Sequence, residues 1–207
     1  MLSYFSSWIF TDKHILFKNR LEKRLHDTGI NTDSFFKELE DSNSIIAGSF
    51  PLQVYLQENW DGSDVDIFTT NDNMQKYLSK HFAEKVIHEN DTCSYRGYVT
   101  DRARVTEYIT HRNLKLQVIK FMDPIESDDL TKYTFSKFDI DICKVSFDGK
   151  EYHIGDRNAV KTRNATVGTT WRCLSFKTYE RIKKYEQRGF TFVNKSTFVD
   201  KYISKMN

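Results

Sequence analysis

Two aspartates stand on either side of a single valine in the run Ser63-Asp64-Val65-Asp66-Ile67-Phe68. On a strand, side chains alternate between faces, so Asp64 and Asp66 share one face while Val65 and Ile67 point into a core. Two carboxylates side by side on a rigid strand repel each other unless a cation sits between them. Mg²⁺ prefers oxygen ligands and is commonly held by one or two carboxylates together with substrate phosphates. Upstream, the apolar run Ile45-Ile46-Ala47 is broken by Gly48-Ser49, and Phe50-Pro51 then opens a segment with Leu52, Tyr55 and Leu56 at helical spacing. Proline suits a first helical turn, whose N–H has no intrahelical partner. A strand, a tight Gly-Ser turn and a helix start bring free N–H groups and a small hydroxyl to a place that suits a phosphate.

Together these residues resemble the signature of the polymerase-β-type nucleotidyltransferase superfamily. That signature is an apolar residue, Gly, Gly or Ser, a spacer, then carboxylate-apolar-carboxylate-apolar. Gly48-Ser49 and Asp64-Val65-Asp66-Ile67 carry it, with a somewhat long spacer from Phe50 to Ser63. The resemblance covers the core from about Ile45 to about Asp148. It implies an α+β fold with a mixed sheet. It also implies transfer of a nucleoside monophosphate from an NTP to an acceptor, with Mg²⁺ or Mn²⁺ bound and pyrophosphate released. Asp64 and Asp66 would then be catalytic and metal-holding, and Gly48 and Ser49 would meet the β- and γ-phosphates. Acceptors in the superfamily include nucleic-acid ends, protein side chains and small molecules. The alternative is a catalytically degenerate protein of the same fold that binds nucleotide, nucleic acid or a protein partner.

The resemblance also implies a third carboxylate on a neighbouring strand. The strand LKLQVIKF offers Gln117 in that place, and a neutral amide cannot act as a base. The next candidates are in Phe138-Asp139-Ile140-Asp141-Ile142, read as a strand with Asp139 and Asp141 on one face. Asp139 is the first choice as catalytic and metal-binding acid, and Asp141 the second metal ligand. A basic helical pattern, 171–188, carries Arg172, Lys177, Arg181, Lys184 and Arg188. It reads either as a triphosphate or acceptor contact, Lys184 foremost, or as the solvated face of an amphipathic helix.

These residues need a scaffold, and the chain of 207 residues is long enough to build one, with 16 Phe and 11 Tyr to fill its core. Only 8 Gly and 2 Pro argue against long linkers, so 1–207 reads as a single unit with a core of about 45–155 and a C-terminal helical segment of about 169–207. The formal net charge of +2 is too mild to imply nucleic-acid binding by itself. Cys93, Cys143 and Cys173 form no metal-ligand spacing and fit a reducing, cytoplasmic setting. No apolar run is long enough to cross a membrane.

Helical patterns cover 12–26, 34–41, 73–82 and 197–206. Alternating strands cover 104–110 and 114–121 around a turn at 111–113, and a further strand covers 138–147. Asp148-Gly149 marks a hairpin into 152–154.

Overall fold

A central strand of five buried residues, Val65–Thr69, carries Asp66 through the middle of the protein. The structure is a computed structural model that describes residues 2–88, 103–123, 125, 129–170 and 173–206, with the backbone alone described for 2–13, 83–88 and 206. In chain order its elements are α1 (Leu2–His26), α2 (Thr32–Asp41), β1 (Ile45–Ala47), α3 (Ser49–Leu56), β2 (Val65–Thr69), α4 (Asn73–His81), β3 (Ala83–His88), β4 (Ala103–Ile109) and β5 (Lys115–Phe121). Then follow α5 (Leu130–Lys137), β6 (Val145–Phe147), β7 (Tyr152–Ile154), α6 (Arg157–Thr162), β8 (Asn164–Ala165), α7 (Phe176–Gln187), β9 (Thr191–Phe192) and α8 (Lys195–Met206).

Seven strands form one mixed sheet in the order β3-β4-β5-β2-β1-β6-β7. Its pairs are antiparallel except for β2 beside β5. The fold is therefore α+β, as the strand-and-helix patterning implies. Each face carries its own apolar cluster. Ile46, Val65, Ile67, Leu116, Val118 and Phe147 pack under Phe17, Leu21 and Leu25 of α1, Phe35 and Leu39 of α2, and Met74 and Leu78 of α4. Ala47, Phe68, Ile119 and Val145 pack under the C-terminal part through Ile182, Tyr185, Phe190 and Phe198. Asp66 shares the parity of Phe68, so its side chain belongs to the face that the C-terminal helices cover.

The sequence reading of 138–147 as one strand is corrected. Ile140 makes an isolated bridge to Val167, Asp141–Cys143 is a single 3₁₀ turn, and only Val145–Phe147 joins the sheet. The Asp141 side chain explains the break. Its Oδ1 accepts from the N–H of Ile142 at 2.7 Å and from that of Thr166 at 2.9 Å, a local bond that competes with a ladder. The basic helix is shorter than its sequence pattern. Ser175 caps α7 by accepting from the N–H of Thr178 at 3.1 Å, and Trp171 and Arg172 lie outside the described residues. Among the described residues no helix is long and apolar enough to cross a membrane.

Candidate active site

β1 ends at Ala47 and turns at once into α3 through Gly48, whose φ of 99° and ψ of −138° favour glycine. The Gly48 N–H donates to the Val145 carbonyl at 2.9 Å, which ties the turn to β6. A Cβ on Gly48 would lie 3.5 Å from Oδ2 of Asp66 and 3.9 Å from the Phe138 ring. Gly48 therefore stands beside the second aspartate, with room for no more than a small group between them. Ser49 is half-buried at the first turn of α3, beside N–H groups that have no intrahelical acceptor.

Asp66 is only 1% exposed, whereas Asp64, just ahead of β2, keeps about a third of its side chain exposed. The loop that presents Asp64 is the long spacer, and the structure shows what holds it. The N–H of Trp60 donates to Oε1 of Gln53 at 2.9 Å, and the Trp60 indole N–H donates to Oε2 of Glu58 at 2.9 Å. Arg163 pairs with the same Glu58 carboxylate, and Arg24 donates to the Glu58 carbonyl. Arg188 lies over the Trp60 ring at 4.2 Å, while Tyr185 and Phe190 meet that ring edge-on. Trp60 is therefore a packed brace, and the spacer is stapled to α1 and to the C-terminal part.

Beside Asp66 stands Gln117, its register partner on parallel β5, and beside Gln117 stands Glu107 on antiparallel β4. Partners across a sheet share a face, so Asp66, Gln117 and Glu107 form one lateral row. Nε2 of Gln117 donates to Oε1 of Glu107 at 2.5 Å. Lys115 places its Nζ 3.5 Å from Oδ2 of Asp64 and 3.8 Å from Oε1 of Glu107. The strand position where the resemblance implies a third acid is thus an amide, and Glu107 stands on the strand beyond it. Sequence reasoning missed Glu107 and Lys115. The alternation in both strands was visible, but the pairing of β4 with β5 in this register was needed to align them with Asp66.

Asp139 and Asp141 have other partners. Oδ2 of Asp139 accepts from Oγ1 of Thr178 at 2.7 Å and pairs with Nη2 of Arg181 at 2.8 Å. Oδ2 of Asp141 accepts from Oγ1 of Thr166 at 2.6 Å. Among the described residues no three His, Cys, Asp or Glu side chains gather as a metal cage, so Asp64, Asp66, Asp139 and Asp141 do not form one ligand set. The basic residues of 171–188, read as a phosphate or acceptor contact or as a solvated face, divide in the structure. Lys177 and Lys184 are exposed, while Arg181 turns inward to Asp139 and Arg188 to Trp60.

No family model and no curated protein matches the sequence. Among solved structures the chain is similar to a CCA-adding enzyme in complex with CTP, with a TM-score of 0.66 and 14% identity over 92% of this chain and 45% of that one. It is similar to the Thermotoga maritima CCA-adding enzyme complexed with tRNA, with a TM-score of 0.61 and 14% identity over 84% of this chain and 42% of that one. An apo form of a CCA-adding enzyme matches with a TM-score of 0.64 and 14% identity over 90% of this chain and 45% of that one. The CCA-adding enzymes belong to the polymerase-β-type nucleotidyltransferase superfamily. The chain shares its fold with these CCA-adding enzymes. The chain spans less than half the length of each structure it matches here, and at 14% identity the likeness speaks for the fold alone.

Proposed function

We propose that the protein is a metal-dependent nucleotidyltransferase, which moves a nucleoside monophosphate from an NTP to an RNA, protein or small-molecule acceptor. The observation that carries this reading is the closeness of the Gly48 turn to Asp66, 3.5 Å from a Cβ position to Oδ2, with Asp64 linked through Lys115 to the Glu107 end of the same row. It joins a phosphate-binding helix start to a pair of carboxylates. Asp64 and Asp66 would hold Mg²⁺ or Mn²⁺, and the neutral Gln117 beside them leaves room for triphosphate oxygens to complete the oxygen set. When bound, the ion neutralises charge on the phosphoryl oxygens. The Ser49 hydroxyl and the first N–H groups of α3 take the β- and γ-phosphates and orient the α-phosphorus. Lys115, between Asp64 and Glu107, adds a cation to the same edge. An acceptor hydroxyl forms the new P–O bond as the bond to pyrophosphate breaks, and the hydroxyl proton passes to the exposed Asp64 edge. Asp139 takes a positioning role, anchoring α7 through Thr178 and Arg181. Asp141 anchors the turn at Thr166. Lys184 stays a candidate phosphate contact on the exposed side of α7.

One observation favours a second reading, nucleotide binding without transfer: Gln117 stands where an acid would assist the acceptor hydroxyl, and Glu107 is engaged by Gln117 and Lys115.

The test is label transfer from each of four α-labelled triphosphates with Mg²⁺ or Mn²⁺ and either total RNA or protein extract. Label on a macromolecule that is lost in Asp64→Ala and Asp66→Ala supports transfer. Triphosphate binding with no labelled product, including small molecules, supports the second reading.

A further inference from the structure

A cleft of about 1010 Å³ opens between the C-terminal half of α1, α3, the braced loop and the β4–β5 turn. Asp64 forms part of its wall, but Gly48, Ser49 and Asp66 do not line it. The cleft therefore reaches the first aspartate without Gly48 or Ser49 in its wall.

Three buried polar atoms of cleft-lining residues have no hydrogen-bond partner among the described residues: Nε2 of Gln53, Nη1 of Arg24 and Oγ of Ser63. Gln53 is 2% exposed, and its Oε1 is already occupied by the Trp60 N–H, which fixes the amide with Nε2 unpaired. Arg24 is held the same way, with Nη2 donating to the Glu58 carbonyl and Nη1 left over. Burial also holds the Arg24 guanidinium below its ordinary pKa, so a nearby anion would relieve it. A buried donor without an acceptor carries its desolvation cost uncompensated. The amide and guanidinium nitrogens can only donate, and the hydroxyl can donate with them. Their complement is an anion rich in oxygen acceptors. The rim agrees: five Arg and Lys residues line the cleft against three Asp. Its volume suits a ligand of nucleotide size.

We propose that this cleft is a second anion site that binds a phosphate ester beside Asp64. It rests on the nucleotidyltransferase reading only in making that ester part of the acceptor.

The test is calorimetric titration of the full chain with AMP and with inorganic phosphate, in chelator and without metal. The wild type binds AMP, and binding weakens as salt rises. Gln53→Met removes the donor at similar volume and raises Kd by about tenfold, the effect of one hydrogen bond to a charged group. Lys23→Glu with Arg112→Glu, both on the exposed rim, raises Kd by at least as much and keeps the test sound if Gln53→Met does not fold. A saturating non-hydrolysable triphosphate with Mg²⁺ leaves AMP binding in place. The proposal is overturned if AMP does not bind, if the rim variant binds as the wild type does, or if the triphosphate displaces AMP completely. Inorganic phosphate matching AMP places recognition on the phosphate group, as proposed; tight AMP binding with no phosphate-dependent part overturns it. Phosphate-ester binding that survives while every transfer assay fails would sink the transferase reading and leave the cleft standing. Transfer without such binding would do the reverse.

Discussion

Gln117 faces two ways in the sheet: it is the register partner of Asp66 on one side and donates its amide N–H to Glu107, at 2.5 Å, on the other. It separates two buried acids that would otherwise repel each other across neighbouring strands. Gln117→Asp should therefore lower the melting temperature in chelator, because three carboxylates then crowd one row. Mg²⁺ should restore it, since a third acid improves the oxygen set. Thermal melts with and without Mg²⁺ check this. A variant as stable as the wild type in chelator would show that the row is not electrostatically tight.

Asp139 and Arg181 form an ion pair whose side chains are 6% and 16% exposed. Removing one partner of such a pair strands the other charge and typically costs about 3–5 kcal/mol. Asp139→Ala should lose roughly that much in chemical denaturation, and Asp139→Ala with Arg181→Met should recover much of it. Asp64→Ala, at a position about a third exposed, should change stability little. Equal effects from the two aspartate variants would contradict the positioning role given to Asp139.

Two glycines separate backbone strain at the site from strain elsewhere. Gly48→Ala forces a side chain into a φ of 99°, at a cost of about 1–3 kcal/mol, although its Cβ finds ordinary space. Triphosphate affinity should fall with it, because the turn must shift. Gly149→Ala, in the β6–β7 turn against α2, meets the Phe36 carbonyl at 2.5 Å at a φ of 102°. It should destabilise more, while the folded fraction keeps its triphosphate affinity. Melts beside nucleotide titrations read both outcomes.

His153 and Asp148 make the β6–β7 hairpin pH-sensitive. Nε2 of His153 lies 3.1 Å from Oδ2 of Asp148, and that hydrogen bond raises the histidine above its ordinary 6.5. Burial pulls Asp148 up, but the bonds from His153 and from the N–H groups of Glu151 and Lys150 outweigh it and leave the carboxylate below 3.8. A raised histidine contributes stability in full below 6.5 and loses it as pH climbs through the raised value. The lowered aspartate contributes above 3.8 and loses it only as pH falls through its own lower value. Stability should therefore decline from slightly acid to mildly alkaline pH, and His153→Asn should flatten that decline. Denaturant midpoints across the range decide it, and an unchanged slope in the variant would count against the pair.

Local patterning carried much of this. Alternation alone placed Val65 and Ile67 in one core, as found, with Asp66 on the other parity. The apolar run before Gly48 gave β1, and the turn residues at 111–113 and 148–149 gave two hairpins. The two hairpins rest on contacts between residues close in sequence, and the apolar run marked β1 without naming its partners. Tertiary structure decided the rest. Parallel pairing of β2 with β5 put Gln117 next to Asp66, and antiparallel β4 brought Glu107 and Lys115 to the same edge. Asp141 bonded its own turn and Thr166, so the strand expected through Asp139 never formed. Arg181 and Arg188 look like a solvated face by spacing, yet each turns inward to a partner supplied by a distant segment. The cleft beside Asp64 needs α1, α3, the braced loop and the β4–β5 turn at once. Side-chain periodicity reports which face a residue takes, but which strand lies beside it is set by long-range packing that no local window contains.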